Sequence, residues 1–147
     1  MRVTPTAIPG LLDLSADVRT DPRGYLAKTF EAEAFEHAGL ATRFAEELHT
    51  YSRRGVVRGM HFQTPPSAQV KVVYCEYGAV FDVVVDLRRG SPTFGVALTR
   101  ELSASAGNGL YVPEGLAHGF AVLGQEAVVS YRITTGYAPE HDAVCRE

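Results

Sequence analysis

Runs of valine, tyrosine and phenylalanine dominate the second half of the chain. The segments "VKVVYCEY" (70–77), "AVFDVVVDLR" (79–88), "GLYVP" (109–113), "GFAVL" (119–123) and "AVVSYRIT" (127–134) carry the residue types that favour strands. Turn-forming clusters separate them: "TPPS", "RRGSP", "ASAGNG", "PEG" and "LGQ". The stretch "RGVVRGMHFQTPPSAQVK" (54–71) reads as another strand, with His61 near its end, followed by a loop. One segment has a helical pattern, "EAEAFEHAGL" (31–40), in which Phe35 and Leu40 stand among polar residues and Gly39 is a stop signal. Strands recurring about every ten residues predict an all-β sandwich or barrel. There is no continuous alternation of strands and helices, so a Rossmann arrangement is a poor match.

The chain has 147 residues, which predicts a single domain over 1–147 with a core of its own. Apolar residues make up 46% and charged residues 21%, as in ordinary globular domains. A formal charge of -3 argues against nucleic acid or an anionic membrane as partner, though it leaves room for a local cationic pocket. Cys75 and Cys145 have neither metal-site spacing nor the density of a disulfide framework, and are read as reduced thiols of a cytoplasmic protein. "MRVTPTAIPG" lacks the apolar core of a signal peptide, and no run approaches the roughly 20 apolar residues that span a bilayer.

Polar residues inside apolar strands need a partner or a ligand. Alternation along "VFDVVVDL" puts Asp82, Val84 and Asp86 on one face, and Lys71 opens the apolar run before it. An Asp–Lys pair at a strand rim is one reading of Asp82 and Lys71; a functional pair is the other. His61 alone would be read as a satisfied core histidine. Three features favour a site instead. Gly59 permits a bulge or close backbone approach, "TPPS" places His61 near a strand end, and Arg58 and Lys71 flank it with positive charge. Cations nearby favour a neutral, basic imidazole.

In "YVPEGLAHGF" (111–120), Pro113 and Gly115 make a turn and His118 follows at a fixed offset. This P-x-G-x-x-H pattern resembles the second motif of the cupin superfamily. The first cupin motif carries H-x-H, where this chain has "HFQ", so Gln63 stands in place of a ligand histidine. An amide is a poor substitute for imidazole on such a metal, so no metal or other cofactor is expected.

The blocks "DPRGYLAKTF", "RGVVRGMHFQTPP", "AQVKVVYCEYGAVFDVVVDLRRGSPTFG" and "YVPEGLAHGFAVL" together resemble the dTDP-4-dehydrorhamnose 3,5-epimerases, in order and spacing, over about residues 5–141. The resemblance implies an all-β, cupin-like double-stranded antiparallel β-barrel (a jelly roll), with a short helix near the N-terminus. It implies a homodimer acting on a nucleotide-linked 4-keto sugar through an enolate, by inversion at carbon 3 or at carbons 3 and 5. It gives His61 as the base, Tyr131 as the acid, and Lys71 and Asp82 as catalytic partners, with Asp82 orienting imidazole or lysine. Arg23, Arg58, His118, Tyr137 and Gln63 form the substrate-binding set, Tyr137 packing on the nucleotide base.

The pattern also breaks. Glu46 and Leu48 stand where the family shows Q-x-N, and Lys28 where it shows glutamate. The family's C-terminal segment, with an aspartate that pairs with the base histidine, has no counterpart in these residues. Two other readings stay open: a catalytically weak barrel that binds sugar nucleotides or a partner, and an isomerase of a related keto sugar.

Overall fold

The computed structural model describes residues 1–144; Cys145 lies outside the described residues. The elements in chain order are β1 (Arg2–Pro5), β2 (Leu12–Ser15), β3 (Asp17–Asp21), β4 (Gly24–Lys28), α1 (Ala32–His37), β5 (Glu46–Arg53), β6 (Val57–Gln63), β7 (Lys71–Asp86), β8 (Ala97–Ser103), β9 (Asn108–Val112), β10 (Leu116–Ile133) and β11 (Asp142–Val144). A single 3₁₀ turn, Pro139–His141, precedes β11. The expected all-β class and short N-terminal helix are both present.

Two strands organise the rest. β7 and β10 pair antiparallel from Leu116↔Asp86 to Ile133↔Lys71. Each changes its outer neighbour part-way along. The first part of β7 pairs with β9, the last part with β8. The first part of β10 pairs with β6, the last part with β5. Two layers result, one ordered β5-β10-β7-β9-β2-β1 and the other β11-β6-β10-β7-β8.

The sequence reading divides each of these strands in two, at Gly78 and at "LGQ" (123–125), and the structure corrects that reading. Residues 70–77 and 79–88 form one strand, and residues 119–123 and 127–134 lie in another. Each glycine serves a bulge rather than a chain reversal. Across from β10, Val129 faces Cys75 while Val128 faces Tyr77, so Glu76 is the extra residue. The inward face then changes from odd to even positions: Val73 and Cys75 are buried before the bulge, Val80, Asp82, Val84 and Asp86 after it. Without that one-residue shift the second half of β7 would turn Ala79, Phe81, Val83 and Val85 inward in place of Val80, Asp82, Val84 and Asp86. Gly78 lies at the bulge with φ of 72°, and a Cβ there would strike the carbonyl oxygen of Glu126.

The core between the layers is built from both halves of these strands: Val73, Val80, Val84, Leu98, Leu102, Leu110, Phe120 and Val129 among others. Burying each such side chain contributes about 1.5–3 kcal/mol. A second cluster lies on the outer side of the β9 layer. There α1 seats Phe35 edge-on against Phe30 and Tyr111, with centroids 4.9 and 6.1 Å apart. The helix is shorter than the predicted 31–40. Its last carbonyls are closed by the Ala38, Gly39 and Leu40 amides, with Gly39 at φ of 72°.

β3 and β4 pair only with each other and leave Val18, Tyr25 and Leu26 exposed. At the end of β7, the buried Asp86 carboxylate organises the "RRGSPTFG" turn. It accepts from Arg88 Nε and Nη2 (both 2.9 Å), Ser91 Oγ (2.6 Å) and Thr93 Oγ1 (2.7 Å). Hydrogen bonding to Arg88 holds its pKa well below the usual 3.8.

A carboxyl depressed in the folded state stabilises fully above its unfolded pKa and loses that contribution as pH falls toward the folded value. Asp86→Asn is therefore expected to destabilise by about 3 kcal/mol at neutral pH, the typical cost of breaking a buried ion pair. Urea unfolding should show the gap from wild type narrowing below about pH 4. A loss under about 1 kcal/mol at neutral pH would contradict the structural role of Asp86.

Candidate active site

One cavity of about 600 Å³ opens at the β5–β10–β6 side of the molecule. Its lining brings together His61, Lys71, His118, Tyr131, Arg58, Gln63 and Tyr137. Seven of the nine site residues expected from sequence are thus at one place.

The strand pairing explains how. β6 crosses β10 so that His61 and His118 are register partners. The approach is close because two glycines meet: a Cβ on Gly59 would lie 2.5 Å from Gly119 Cα. Gly59 also has φ of 132°, a region that side-chain-bearing residues avoid. The close backbone approach expected at Gly59 is present, and it sets the depth of His61 in the cavity.

Lys71, at the head of β7, donates to the His61 carbonyl oxygen at 3.2 Å. Burial lowers the pKa of its ammonium below 10.5, while the charges of Asp142 and Asp82 raise it part of the way back. Tyr131 lies further along β10, its ring edge-on to His118 with centroids 5.9 Å apart. Burial, and next the charge of Asp82, push its phenol well above the ordinary value. At neutral pH Tyr131 is therefore a protonated hydroxyl, a proton donor. Arg58 is tethered to β5, donating from Nε to Ser52 Oγ (2.9 Å) and from Nη2 to the Tyr51 carbonyl (3.3 Å).

Asp82 is in a different position from the expected one. It is fully buried and does not line the cavity. Its Oδ2 lies 2.7 Å from His118 Nε2, so it holds the imidazole of His118 and neither that of the base candidate His61 nor the Lys71 ammonium. Asp82 thus acts through His118 and has no direct reach to a ligand. Among the described residues its Oδ1 has no hydrogen-bond partner. The rim Asp–Lys ion pair does not form.

Arg23 is not at the cavity either. It sits at the turn of the β3–β4 hairpin, exposed and paired with Asp21. The reason is topological: that hairpin has no partner in the main sheet of its own chain. Gln63 borders the cavity, yet its amide is occupied by main-chain groups of the surrounding loops.

Sequence reasoning missed several lining residues, Thr50, Gln69 and Asp142 among them. Asp142 opens β11, whose three described residues are too few to leave a periodic signal. Glu46 and Leu48 were visible as departures, and both line the mouth. Glu46 Oε1 accepts from the Tyr137 amide at 3.3 Å.

The family profile for dTDP-4-dehydrorhamnose 3,5-epimerase matches residues 5–147. The chain belongs to the dTDP-4-dehydrorhamnose 3,5-epimerase family. It is 43% identical over 139 residues to the dTDP-4-dehydrorhamnose 3,5-epimerase of Shigella flexneri, covering 94% of this chain and 77% of that one. Two solved structures show how closely the family fold is kept. The dTDP-6-deoxy-D-glucose-3,5-epimerase of Legionella pneumophila, in complex with dTDP-4-keto-L-rhamnose, superposes with a TM-score of 0.94 at 36% identity, covering 99% of this chain and 77% of that chain. ChmJ, a 3'-monoepimerase from Streptomyces bikiniensis in complex with dTDP-quinovose, gives 0.92 at 33%, covering 97% and 73%. The epimerase family fold is cupin-like, as the motif around His118 suggests. Among the described residues, no helix of this epimerase-family chain is long and apolar enough to cross a membrane.

The Gly59–Gly119 contact leads to a direct prediction. Gly59→Ala must push β6 away from β10 backbone to backbone, because no flexible side chain can yield. Strain at a positive φ plus this clash is expected to cost about 2–4 kcal/mol. For a chain of this size each kcal/mol lowers Tm by about 2–4 °C. A Gly59→Ala protein with wild-type Tm would show that the crossing is looser than described.

Proposed function

We propose that this chain inverts carbon 3, or carbons 3 and 5, of a nucleotide-linked 4-keto-6-deoxy-hexose, most simply a dTDP sugar. The observation that carries the reading is the shared cavity of His61, Lys71 and Tyr131. The 4-keto group acidifies the hydrogens on its neighbouring ring carbons. His61 removes one of them, and the C–H electron pair moves into an enolate whose charge rests on the former ketone oxygen. Lys71, with Arg58 nearby, stabilises that oxygen; preorganised charge of this kind is often the largest catalytic contribution. Tyr131 then delivers its hydroxyl proton to the same carbon from the opposite face. Its raised pKa keeps the proton in place at neutral pH, and the basic carbon of the enolate draws it off; Tyr131 then regains a proton and His61 releases one to solvent. His118, held by Asp82, is read as a ligand-contacting group, and Tyr137 as the platform for the base.

We read the protein as one catalytic domain that works in the cytoplasm as a homodimer and needs no metal. The unpartnered β3–β4 hairpin supports the dimer. It carries exposed Val18, Tyr25 and Leu26 and holds Arg23 away from its own cavity. In a dimer the hairpin would lend Arg23 to the second copy's diphosphate site. Sedimentation at micromolar concentration is expected to give a dimer, and a strictly monomeric species would contradict this arrangement.

A second reading has one observation in its favour: Glu46 places a carboxylate at the mouth. That suits a protein that binds sugar nucleotides weakly and turns none over. Incubation with dTDP-4-keto-6-deoxyglucose in heavy water, with a chelator present, separates the two. Turnover is expected, with deuterium at carbon 3 alone or at carbons 3 and 5. His61→Asn should abolish both inversion and exchange. Tyr131→Phe should impair inversion more than exchange, because His61 can still return a deuteron on its own face. General acid–base groups contribute on the order of 100- to 10,000-fold; wild-type exchange in His61→Asn would sink the mechanism. Wild-type binding without turnover would favour the second reading, and a metal lost together with activity would end the metal-free claim.

A further inference from the structure

We infer that Gln63 is a positioning residue that holds Tyr137 over the cavity mouth; the functional half of the inference rests on the nucleotide reading of Tyr137 proposed above. Tyr137 is 62% exposed, so no core packing fixes its ring. Its place is set by the backbone of residues 134–138, the segment leaving β10. Gln63 grips that backbone from β6. Its Oε1 accepts from the Ala138 amide at 2.9 Å, and its Nε2 donates to the Gly136 carbonyl at 3.3 Å. The same Nε2 donates to the Ser67 carbonyl at 2.7 Å, tying in the loop that follows β6.

A carboxamide offers two N–H donors and one acceptor oxygen. In Gln63 all of these face main-chain groups, Gly136 and Ala138 on either side of Tyr137 and Ser67 in the loop after β6, and the residue is 5% exposed. Little capacity is left for a ligand, which corrects the expectation that Gln63 contacts substrate directly. Two neighbours complete the grip. Gln69 Nε2 donates to the Thr135 carbonyl at 2.6 Å, and Glu46 Oε1 accepts from the Tyr137 amide at 3.3 Å. A carboxylate at position 46 thus has a structural use as an acceptor. The segment is clamped residue by residue while the ring of Tyr137 keeps its faces exposed, its hydroxyl making one long hydrogen bond to Asp142 Oδ2 at 3.5 Å. A buried amide with every hydrogen bond made is worth more as an anchor than the same group in water.

The test uses Gln63→Met, which keeps the length and removes the donors and the acceptor. Hydrogen exchange of the segment 134–138 on the intact protein reads the clamp without any ligand. Exchange there is expected to rise about tenfold, as for the loss of one to two net hydrogen bonds, with β7 and β10 unchanged. Calorimetry with dTDP then reads the consequence. Gln63→Met should weaken dTDP about tenfold in the wild type but by less than about twofold in a Tyr137→Ala background, the non-additivity that coupled residues show. Unchanged exchange overturns the clamp. Equal dTDP losses in both backgrounds overturn the link to Tyr137. If Gln63→Met does not fold, Gln69→Leu releases the same segment at Thr135 and is held to the same outcomes. A wild type that binds no dTDP overturns the nucleotide reading instead, while the exchange experiment still decides the clamp.

Discussion

The pairing of β7 with β10 is the constraint on which everything else rests. Both strands run through both layers, so each must present an apolar face inward twice, on either side of a bulge. The bulge at Glu76, with Gly78 beside it, supplies the necessary change of phase. Its consequence reaches the site. Because Asp82 is inward only in the shifted phase, the bulge is what allows it to meet His118 on the neighbouring strand. The same pairing sets Lys71 at one end of β7 beside the end of β10, with Tyr131 two residues from the Ile133↔Lys71 pair. Four of the functional side chains thus inherit their relative positions from a single backbone ladder.

A site built on paired strands is well suited to proton transfer. General acid–base groups must be held within a fraction of an ångström of their working positions, and strands in a sheet hold side chains more firmly than loops do. The two groups that the proposed reading assigns to recognition lie on less regular backbone. Tyr137 stands on a clamped loop, and Arg23 on a hairpin that its own chain does not use. The division matches the electrostatics. The groups with raised or lowered pKa in the cavity, Tyr131 and Lys71, lie on β10 and β7, and burial is the leading cause for both.

Much of this was legible in the sequence because period-two alternation survives in β7 and β10. The burial of Asp82, Val84 and Asp86 on one face follows from it. What alternation could not say is which aspartate does what. Asp86 is satisfied locally, by Arg88, Ser91 and Thr93, whereas Asp82 pairs through one oxygen with a residue far away in the chain, His118. Both look alike in a strand of valines. The strands were divided at Gly78 and Gly124 because a bulge and a chain break use the same residue for the same reason, a positive φ. β5, "EELHTYSR", escaped notice because most of its side chains are exposed and its inward face, Glu46, Leu48, Thr50 and Ser52, is too polar to read as apolar alternation. The resemblance carried the site residues further than periodicity did, yet it could not show that Gln63 spends its amide on the backbone or that Arg23 lies outside its own cavity.

The central claim is that one cavity addresses a keto sugar from two faces, with a base on one and an acid on the other. A crystal structure with dTDP-4-keto-L-rhamnose bound tests it most directly. The account predicts the sugar ring between the His61 imidazole and the Tyr131 hydroxyl, with the ketone oxygen within hydrogen-bond reach of Lys71 Nζ, at about 2.7–3.2 Å. A sugar lying with His61 and Tyr131 on the same side of the ring, or with its ketone turned away from Lys71, would contradict it.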